Sequence, residues 1–334
     1  MNGPADNEAS NGWHWDRYWQ ADRLSACLTD AATGNYARAI RTGWVAFFGL
    51  FPDGTRLLDI GTGNGAVPLI AREIAAQAGR RFEIHGVDRA DIDPARFVHA
   101  TSGALADIHF HGRTSAESLP FRDRHFDGLT GQYALEYTDP ASSVRELARV
   151  ARHGARLRFV LHAEDATPVA GAARNLADIA FLTGELRILD KARALMRAAF
   201  AFERENTFDP RLEDAARKAR EDYLAAAHAV DACHPGAGSE TLFSEILGGV
   251  RAAWDQRRKF TLDYILTGLD RIEEEIRAHQ ARLEDMRRAA LSREGLAALA
   301  TLFRETGFNG VRTGELRAPE GACLLGWELQ AALP

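Results

Sequence analysis

The sequence predicts an α/β protein with a doubly wound, mostly parallel sheet, an N-terminal helical cap and a large all-helical insertion after the fifth strand. Two observations support this fold class. Short apolar stretches alternate with helical periodicity up to about residue 161, as expected for a parallel sheet covered on both faces. From about Pro168 to Ala290 only helical periodicity is found, and the alternation returns near the C-terminus.

Each predicted element follows from the spacing of apolar residues or from turn residues. Apolar positions three and four apart indicate helices, short apolar runs indicate strands, and Gly54 and Gly154 mark two of the turns. In chain order, we predict helices at residues 15–28 and 36–51, a strand at 56–60, a helix at 66–78, strands at 82–87, 108–111 and 126–131, a helix at 140–151, a strand at 157–161, the helical insertion, a helix at 295–306, and strands at 310–317 and 322–329.

The length of the chain fits one core domain with an insertion. Its 334 residues exceed the roughly 100–200 residues of a usual domain. A content of 46% hydrophobic and 26% charged residues is globular and excludes a disordered chain. We expect a helical cap in residues 1–50, a core in 51–165, an insertion in 166–292 that covers a substrate or forms a dimer, and a helix with strands in 293–334 that completes the sheet.

Charge, hydropathy and cysteine usage exclude several other classes. The net charge of -6 disfavours nucleic acid as a partner, since duplex binders usually carry a basic face. No apolar run approaches the roughly 18 residues of a membrane span, and no secretory signal is visible. Three widely spaced cysteines, Cys27, Cys233 and Cys323, indicate a reducing compartment. We therefore predict a cytoplasmic protein that holds no metal ion.

The most informative motif is a glycine-rich turn between the first strand and the following helix. Glycine lets the backbone approach a ligand closely and adopt positive φ angles. Dinucleotide-binding turns have the spacing G-x-G-x-x-G, whereas this turn has G-x-G-x-G and follows an acid. A carboxylate would repel a pyrophosphate but could accept hydrogen bonds from an ammonium group, which favours a cofactor that carries an amino acid. The motif reads Asp59-Ile60-Gly61-Thr62-Gly63-Asn64-Gly65.

A second carboxylate, Asp88, ends the next predicted strand. In doubly wound sheets an acid at this position binds the ribose hydroxyls of an adenosine, because two acceptor oxygens match a vicinal diol. The alternative is a solvated acid at the end of a strand.

With these features the chain resembles the class I S-adenosylmethionine-dependent methyltransferases, which have a Rossmann-like core. The resemblance covers about residues 44–161, and the last forty or so residues by pattern only. It implies methyl transfer from S-adenosylmethionine, with S-adenosylhomocysteine as the product. It shows no motif in the insertion. It rests on the glycine turn, Asp88, Ala116-Glu117-Ser118-Leu119-Pro120-Phe121, Phe126-Asp127 and Arg145-Glu146-Leu147-Ala148-Arg149-Val150.

The resemblance also implies a set of cofactor contacts. In the family an acid usually stands where this chain has Ser115, so the adenine contact differs here. The implied cofactor-binding residues are Asp59 near the ammonium group, Gly61 and Gly63 around the methionine part, Asp88 at the ribose, Ser115 and Ala116 at the adenine, Gln132 near the sulfonium, and the neighbouring Thr62 and Arg89.

Three residues are candidates for catalysis: His162, Glu136 and Tyr137. Methyl transfer is an in-line displacement, and a base is needed only when the acceptor is protonated at the working pH. His162 follows the fifth strand and carries an imidazole that titrates near neutrality; the alternative is a histidine with a structural hydrogen bond. Glu136 and Tyr137 stand where many family members have a His-His pair.

Aromatic residues near the N-terminus are predicted to form a lid over the cofactor or the acceptor: Trp15, Tyr18, Trp19 and Tyr36. Stacking on RNA bases is the alternative. The residues after the fourth strand do not resemble the loop of enzymes that methylate nucleobase amines, so we predict a small or medium organic acceptor, methylated on O, N or C. Two other functions stay open: methylation of a protein or RNA docked by the insertion, and an inactive cofactor-binding interaction protein.

The insertion contains one long apolar stripe with the alternating spacing of three and four residues that is typical of packed helices. The stripe predicts either packing against neighbouring insertion helices or a homodimer interface. Its members are Leu262, Ile265, Leu269, Ile272, Ile276, His279, Leu283 and Met286.

Overall fold

The computed structural model describes residues 12–99, 102–204, 209–233, 242–319, 321 and 323–334. The predicted cap is thus described from Gly12 onward, and its residues 1–11 lie outside the described part. Across the described residues, no helix combines the length and the apolar character that a membrane span requires.

The described residues form one sheet of seven strands in the order β3-β2-β1-β4-β5-β7-β6. The first five strands run parallel, and β7 is antiparallel to both of its neighbours. This sheet confirms the predicted fold class. The strands are β1 (Arg56–Ile60), β2 (Glu83–Val87), β3 (Ile108–His111), β4 (Phe126–Gln132), β5 (Ala151–Leu161), β6 (Asn309–Arg317) and β7 (Leu324–Ala332).

The longer helices lie before, between and after the strands as predicted, whereas two short helices between β2 and β3 were not predicted. Every element that the structure describes between β5 and β6 is a helix. The helices are α1 (Trp13–Trp19), α2 (Arg38–Phe48), α3 (Ala66–Gln77), α4 (Pro94–Phe97), α5 (Ser102–Leu105), a 3-10 turn (Leu135–Tyr137), α6 (Pro140–Val150), α7 (Thr167–Ala180) with the π-helical Phe181–Glu185, α8 (Ile188–Arg204), α9 (Pro210–Cys233), α10 (Leu242–Gln256), α11 (Leu262–Ala289) and α12 (Arg293–Glu305).

Two apolar cores cover the two faces of the sheet. On one face, α6 and α12 bury side chains such as Leu147 and Phe303 against the strands. On the other face, α2 and α3 bury side chains such as Trp44 and Ile70. A sheet buried on both faces requires nearly continuous apolar strands, and Leu57, Leu58 and Ile60 of β1 are all buried as this requires.

Local sequence signals fix where several helices begin. The carboxylate of Asp139 accepts a hydrogen bond from the backbone N–H of Ser142 at 2.8 Å, and Pro140 occupies the first helical position of α6. The hydroxyl of Ser292 accepts from the backbone N–H of Gly295 at 3.1 Å at the start of α12. Both are ordinary N-caps, which satisfy N–H groups that have no partner inside the helix.

Two predicted elements are wrong in their bounds. The helix predicted for residues 15–28 ends at Trp19, because the Asn64 amide takes the backbone carbonyls of Trp19 and Arg23 as its acceptors. Further on, Leu28 has a positive φ of 52°. The turn predicted around Gly154 lies inside β5 instead, where Gly154 has a φ of 82° and the register with β4 shifts.

The chain divides into two compact units. The first extends to Ala172 and resumes at Arg282–Pro334, and it contains the whole sheet. The second is Ala173–Ala281, which is shorter at both ends than the predicted insertion. Within it, Arg193 of α8 forms ion pairs with Asp270 and Glu273 of α11.

The apolar stripe of α11 is largely inside the chain. Ile265, Leu269, Ile276 and Leu283 are buried, which agrees with the packing interpretation. A homodimer through residues 262–286 stays a prediction.

Candidate functional site

A cavity of about 430 Å³ lies at the carboxyl ends of β1, β2 and β4, the edge at which doubly wound sheets bind their ligands. All of its lining residues belong to the first unit. Of the predicted cofactor-binding and catalytic residues, the cavity brings together Gly61, Asp88, Arg89, Ser115, Ala116, Glu136 and Tyr137.

The glycine turn reaches the cavity at Gly61. Gly61 has a φ of 59°, and a Cβ atom at this position would overlap the Cβ atom of Ala134. Gly63 has a φ of 50°, and a Cβ atom there would overlap the Trp19 ring. Glycine is therefore required at both positions, for backbone conformation and for space.

Asp88 is held beside the turn by two backbone donors. The N–H of Gly63 donates to one carboxylate oxygen at 2.7 Å, and the N–H of Ala90 donates to the other at 2.8 Å. Burial raises the pKa of Asp88 to about 6. Because each carboxylate oxygen can accept more than one hydrogen bond, both oxygens remain able to accept from a diol in the cavity.

Asp59 lies beneath the turn and does not line the cavity. Its side chain is buried and accepts a hydrogen bond from the Thr130 hydroxyl at 2.7 Å. Burial raises its pKa to about 7. Thr62 and Gly63 are likewise outside the cavity lining, and Gly63 acts through its contacts with Asp88 and Trp19.

At the predicted adenine end, the Ser115 hydroxyl donates to the carboxylate of Glu117. The other oxygen of Glu117 accepts from the backbone N–H of Asp139 at 3.0 Å. Both Ser115 and Glu117 line the cavity. The chain thus offers a carboxylate two residues after the position where the family usually has one, a possibility that sequence comparison by position misses.

Three further predicted site residues do not line the cavity. Gln132 is buried, and its amide oxygen accepts from the Trp44 indole N–H at 2.8 Å, so Tyr133 and Ala134 line the cavity in its place. Tyr36 is buried in the core beneath α2. Tyr18 donates to the backbone carbonyls of residues 25 and 26 at 3.3 Å. The predicted lid is therefore reduced to Trp15 and Trp19, which do line the cavity.

Glu136 and His162 form a buried pair at the cavity wall. One Glu136 oxygen, Oε1, lies 2.8 Å from both the backbone N and the Nδ1 atom of His162. Burial alone lowers the pKa of His162, but side-chain hydrogen bonds with Cys27 and Glu136 and the Glu136 charge raise it to about 9. His162 is thus protonated at neutral pH and does not line the cavity, which contradicts its predicted role as the base.

The second oxygen of Glu136, Oε2, is the free end of this pair. Among the described residues it has no hydrogen-bond partner, and the same holds for the hydroxyl of Tyr137. Both residues line the cavity, although the Glu136 side chain itself is fully buried. An unpaired buried polar atom is costly and calls for a ligand or a water molecule.

The N-terminal segment is fastened to the site by side-chain amides and carboxylates. The Asn64 amide donates to the carbonyls of Trp19 and Arg23 at 2.9 and 2.7 Å. The Asp16 carboxylate accepts from the backbone N–H of Asp91 at 2.7 Å. These contacts hold Trp19 against the glycine turn.

Sequence reasoning missed the contribution of the C-terminal end of α11. Asp285 and Arg288 line the cavity. One Asp285 oxygen lies 2.7 Å from Nε2 of His14 and accepts from the Trp15 indole N–H at 3.3 Å. The sequence offered no signal for this, since Asp285 lies 271 positions from His14.

Residues 58–159 match a family profile described as a methyltransferase domain. Together with the strand order and the cavity, this match shows that the chain contains a domain of the class I S-adenosylmethionine-dependent methyltransferase family, as the sequence motifs predicted.

Two curated relatives illustrate the extent of the similarity. The ubiquinone/menaquinone biosynthesis C-methyltransferase UbiE of Vibrio cholerae is 30% identical over 105 residues, which is 31% of this chain and 40% of that protein. The uncharacterized methyltransferase YcgJ of Bacillus subtilis is 34% identical over 116 residues, 34% of this chain and 43% of that protein. The chain thus spans less than half the length of these relatives.

Solved structures resemble the chain more distantly. The solved structure of a proposed S-adenosylmethionine-dependent methyltransferase of Methanococcus maripaludis has a TM-score of 0.41 at 10% identity. The alignment covers 100% of this chain and 96% of that chain. The [4+2]-cyclase SpnF has a TM-score of 0.40 at 13% identity and covers 98% of this chain and 94% of that chain.

Proposed function

We propose that this chain binds S-adenosylmethionine in the cavity and transfers its methyl group to a small organic acceptor. The observation that carries the proposal is the glycine turn, which reaches the cavity at Gly61 beside the Asp88 carboxylate. The family match over residues 58–159 supports the choice of cofactor and reaction.

The residues of the cavity fit this cofactor. A side chain at Gly61 would collide with Ala134, so the turn presents bare backbone to the cavity, as a closely bound methionine part requires. Asp88 keeps acceptor capacity for the ribose hydroxyls, and the buried Asp59 places negative charge under the turn, where it attracts an ammonium group. The carboxylate of Glu117, rather than the hydroxyl of Ser115, would accept a hydrogen bond from the adenine amine. When bound, S-adenosylmethionine supplies an electrophilic methyl group on its sulfonium.

Glu136 takes the proton that the acceptor loses. Transfer would form a bond between the acceptor atom and the methyl carbon while the bond from that carbon to the sulfonium breaks, which would leave S-adenosylhomocysteine, and the acceptor's hydrogen would leave as a proton. Oε2 of Glu136, a residue that lines the cavity, is a buried acceptor without a partner among the described residues. The protonated His162 holds Oε1 and fixes the direction of the carboxylate. His162 is thus a positioning residue.

Two observations support a small acceptor. The cavity volume of about 430 Å³ lies in the range of roughly 300–1,000 Å³ that is usual for small-molecule sites. The name of the UbiE relative describes C-methylation in the biosynthesis of ubiquinone and menaquinone, which are small molecules. A protein or RNA acceptor is the alternative, and labelling of a cell extract distinguishes it from a small acceptor.

Calorimetry with S-adenosylmethionine and S-adenosylhomocysteine tests the cofactor. We expect both to bind, and Asp88→Ala to raise the Kd at least about tenfold, since it removes charge-assisted hydrogen bonds of roughly 1.5–3 kcal/mol. The matched control is Asp107→Ala, which changes an exposed aspartate paired with Arg72. If the folded parent protein binds neither compound, the proposed function is wrong.

Incubation of a cell extract with the protein and methyl-labelled S-adenosylmethionine tests the acceptor. We expect label in dialysable products other than S-adenosylmethionine itself, and a Glu136→Gln rate lower by about 10²–10⁴-fold, as for loss of a general base, with an unchanged Kd for the cofactor. Glu73→Gln, in an ion pair with Arg41 outside the cavity, should leave the rate unaltered. Label found only in protein or RNA would overturn the small-acceptor proposal.

A further inference from the structure

Away from the cavity, a cluster of imidazoles covers one face of the sheet at its β2-β3 edge. His85 of β2 pairs in register with His109 of β3, so the two side chains lie on the same face. His111 lies two residues further along β3, and His125 directly precedes β4. The ring centroids of His85 lie 4.7 Å from His109, 5.4 Å from His111 and 6.3 Å from His125.

A carboxylate completes the cluster. Glu83 lies two residues before His85 on β2, and its Oε1 atom is 3.2 Å from Nε2 of His85. One potential ligand atom from each of Glu83, His85 and His125 lies within 4.8 Å of the other two. None of these residues lines the cavity.

We propose that Glu83, His85 and His125 bind a divalent transition-metal ion such as Zn²⁺. Two imidazole nitrogens and one carboxylate oxygen are a donor set that zinc takes in proteins, with a fourth position left for water. The ligand atoms, now within 4.8 Å of one another, must move closer together to bind, because nitrogen and oxygen ligands lie about 2.0–2.2 Å from zinc. Imidazole ligands also disfavour Mg²⁺ and Ca²⁺, which prefer oxygen.

The surroundings of the three residues resemble the outer shell that metal ligands have in proteins. Nδ1 of His85 lies 3.1 Å from Nε2 of His111, so a hydrogen bond between them would leave Nε2 of His85 as the lone-pair nitrogen beside Glu83. The second oxygen of Glu83 accepts from Nε of Arg56 at 2.9 Å. Such partners orient ligand side chains and tune their basicity.

Aromatic side chains form the dry side of the cluster. The Phe121 ring lies 5.4 Å from the His85 ring and 6.4 Å from the His125 ring, centroid to centroid. Phe126 beneath them is fully buried. An apolar shell limits access of water and strengthens the attraction between an ion and its ligands. Arg122 donates to Nδ1 of His125 at 3.2 Å, and a metal ion would compete with this donor.

Titration of the full-length protein, free of any histidine tag, with ZnCl₂ in a calorimeter tests the proposal. We expect one site per chain, and Tm should rise as Zn²⁺ is added. His85→Ala should weaken the site by more than about 100-fold, the upper end of the loss seen for outer-shell partners. If that variant does not fold, Glu83→Gln removes the ligand charge while it keeps the side-chain shape.

Two controls distinguish a ligand from a neighbouring imidazole. His153→Ala changes an exposed histidine on β5, and His109→Ala removes a ring that stacks on His85 without belonging to the three ligands. Neither should change the Kd by more than a few fold. The proposal is overturned if the parent does not bind Zn²⁺, or if His85→Ala and Glu83→Gln bind Zn²⁺ as tightly as the parent does. Co²⁺ absorption bands of a nitrogen- and oxygen-ligated site, displaced by Zn²⁺, would support it.

Discussion

Replacement of Asp59 by asparagine should stabilise the protein without its cofactor. Burial raises the pKa of this carboxyl from 3.8 to about 7, and a tenfold change in a proton equilibrium corresponds to about 1.4 kcal/mol. The ionised side chain therefore lowers the free energy of unfolding by roughly 4 kcal/mol relative to the protonated one. Asparagine stays neutral at every pH, and its amide oxygen can still accept from the Thr130 hydroxyl.

The sign of the pH dependence follows from the raised pKa. The protonated carboxyl contributes its full stability below the unfolded pKa of 3.8, and this contribution is lost as the pH rises through about 7. Asp59→Asn should thus match the parent protein near pH 4, exceed its free energy of unfolding by roughly 2 kcal/mol at pH 5.5, and exceed it by roughly 4 kcal/mol at pH 8.

Urea unfolding at the three pH values, followed by tryptophan fluorescence, measures this difference. The control is Asp107→Asn, an exposed aspartate whose change should stay within about 0.5 kcal/mol. The same Asp59→Asn protein should bind S-adenosylmethionine more weakly in calorimetry, because the negative charge under the turn is gone. If the variant is less stable than the parent at pH 8, or if the difference does not depend on pH, burial of the charge is not the cause.

Three further predictions concern the site and its cap. His162→Gln should remove a pH-dependent loss in the free energy of unfolding of about 3 kcal/mol. In the parent, the raised pKa of His162 gives stability that is complete below pH 6.5 and is lost as the pH rises through 9. Denaturation curves across this range measure the loss, and an unchanged loss in the variant would contradict the prediction. Gly61→Ala should raise the Kd for S-adenosylmethionine by about 10- to 100-fold, because of strain of roughly 1–3 kcal/mol at a positive φ and overlap with Ala134. Calorimetry measures the Kd, with Gly248→Ala, where a Cβ meets open space, as the control. Equal Kd values for Gly61→Ala and the parent would refute the need for glycine. Asn64→Ala should lower the free energy of unfolding by roughly 2–4 kcal/mol, since two carbonyls lose their donor. It should also speed proteolysis between residues 12 and 30. If the variant is cleaved there no faster than the parent, the Asn64 amide does not hold this segment.

The strands and the glycine turn could be predicted because their causes are local. β1 is a short apolar run that ends in the glycine motif, and its predicted bounds, residues 56–60, match the structure. The Asp88 carboxylate was likewise predictable, since strand end and acid are adjacent in sequence. By contrast, the loss of helix after Trp19 depends on Asn64, a residue 45 positions away.

The site residues that sequence reasoning misplaced depend on which way a side chain points. Gln132 is the last residue of β4, and alternation along a strand decides that its amide meets Trp44 while Tyr133 meets the cavity. The role of His162 depends on a pKa set by Glu136 and by Cys27, which lies far away in sequence. The arrival of Asp285 at the cavity depends on tertiary structure alone.

The packing of Trp19 on Gly63 makes this tryptophan an intrinsic fluorescence probe of the cavity. The indole lines the cavity, touches the turn and is shielded from solvent by its neighbours. Anything that enters the cavity changes the polarity around this ring, and with it the colour and intensity of its emission. Candidate acceptors can therefore be screened without a label, and Trp19→Phe identifies which part of the signal comes from this one ring.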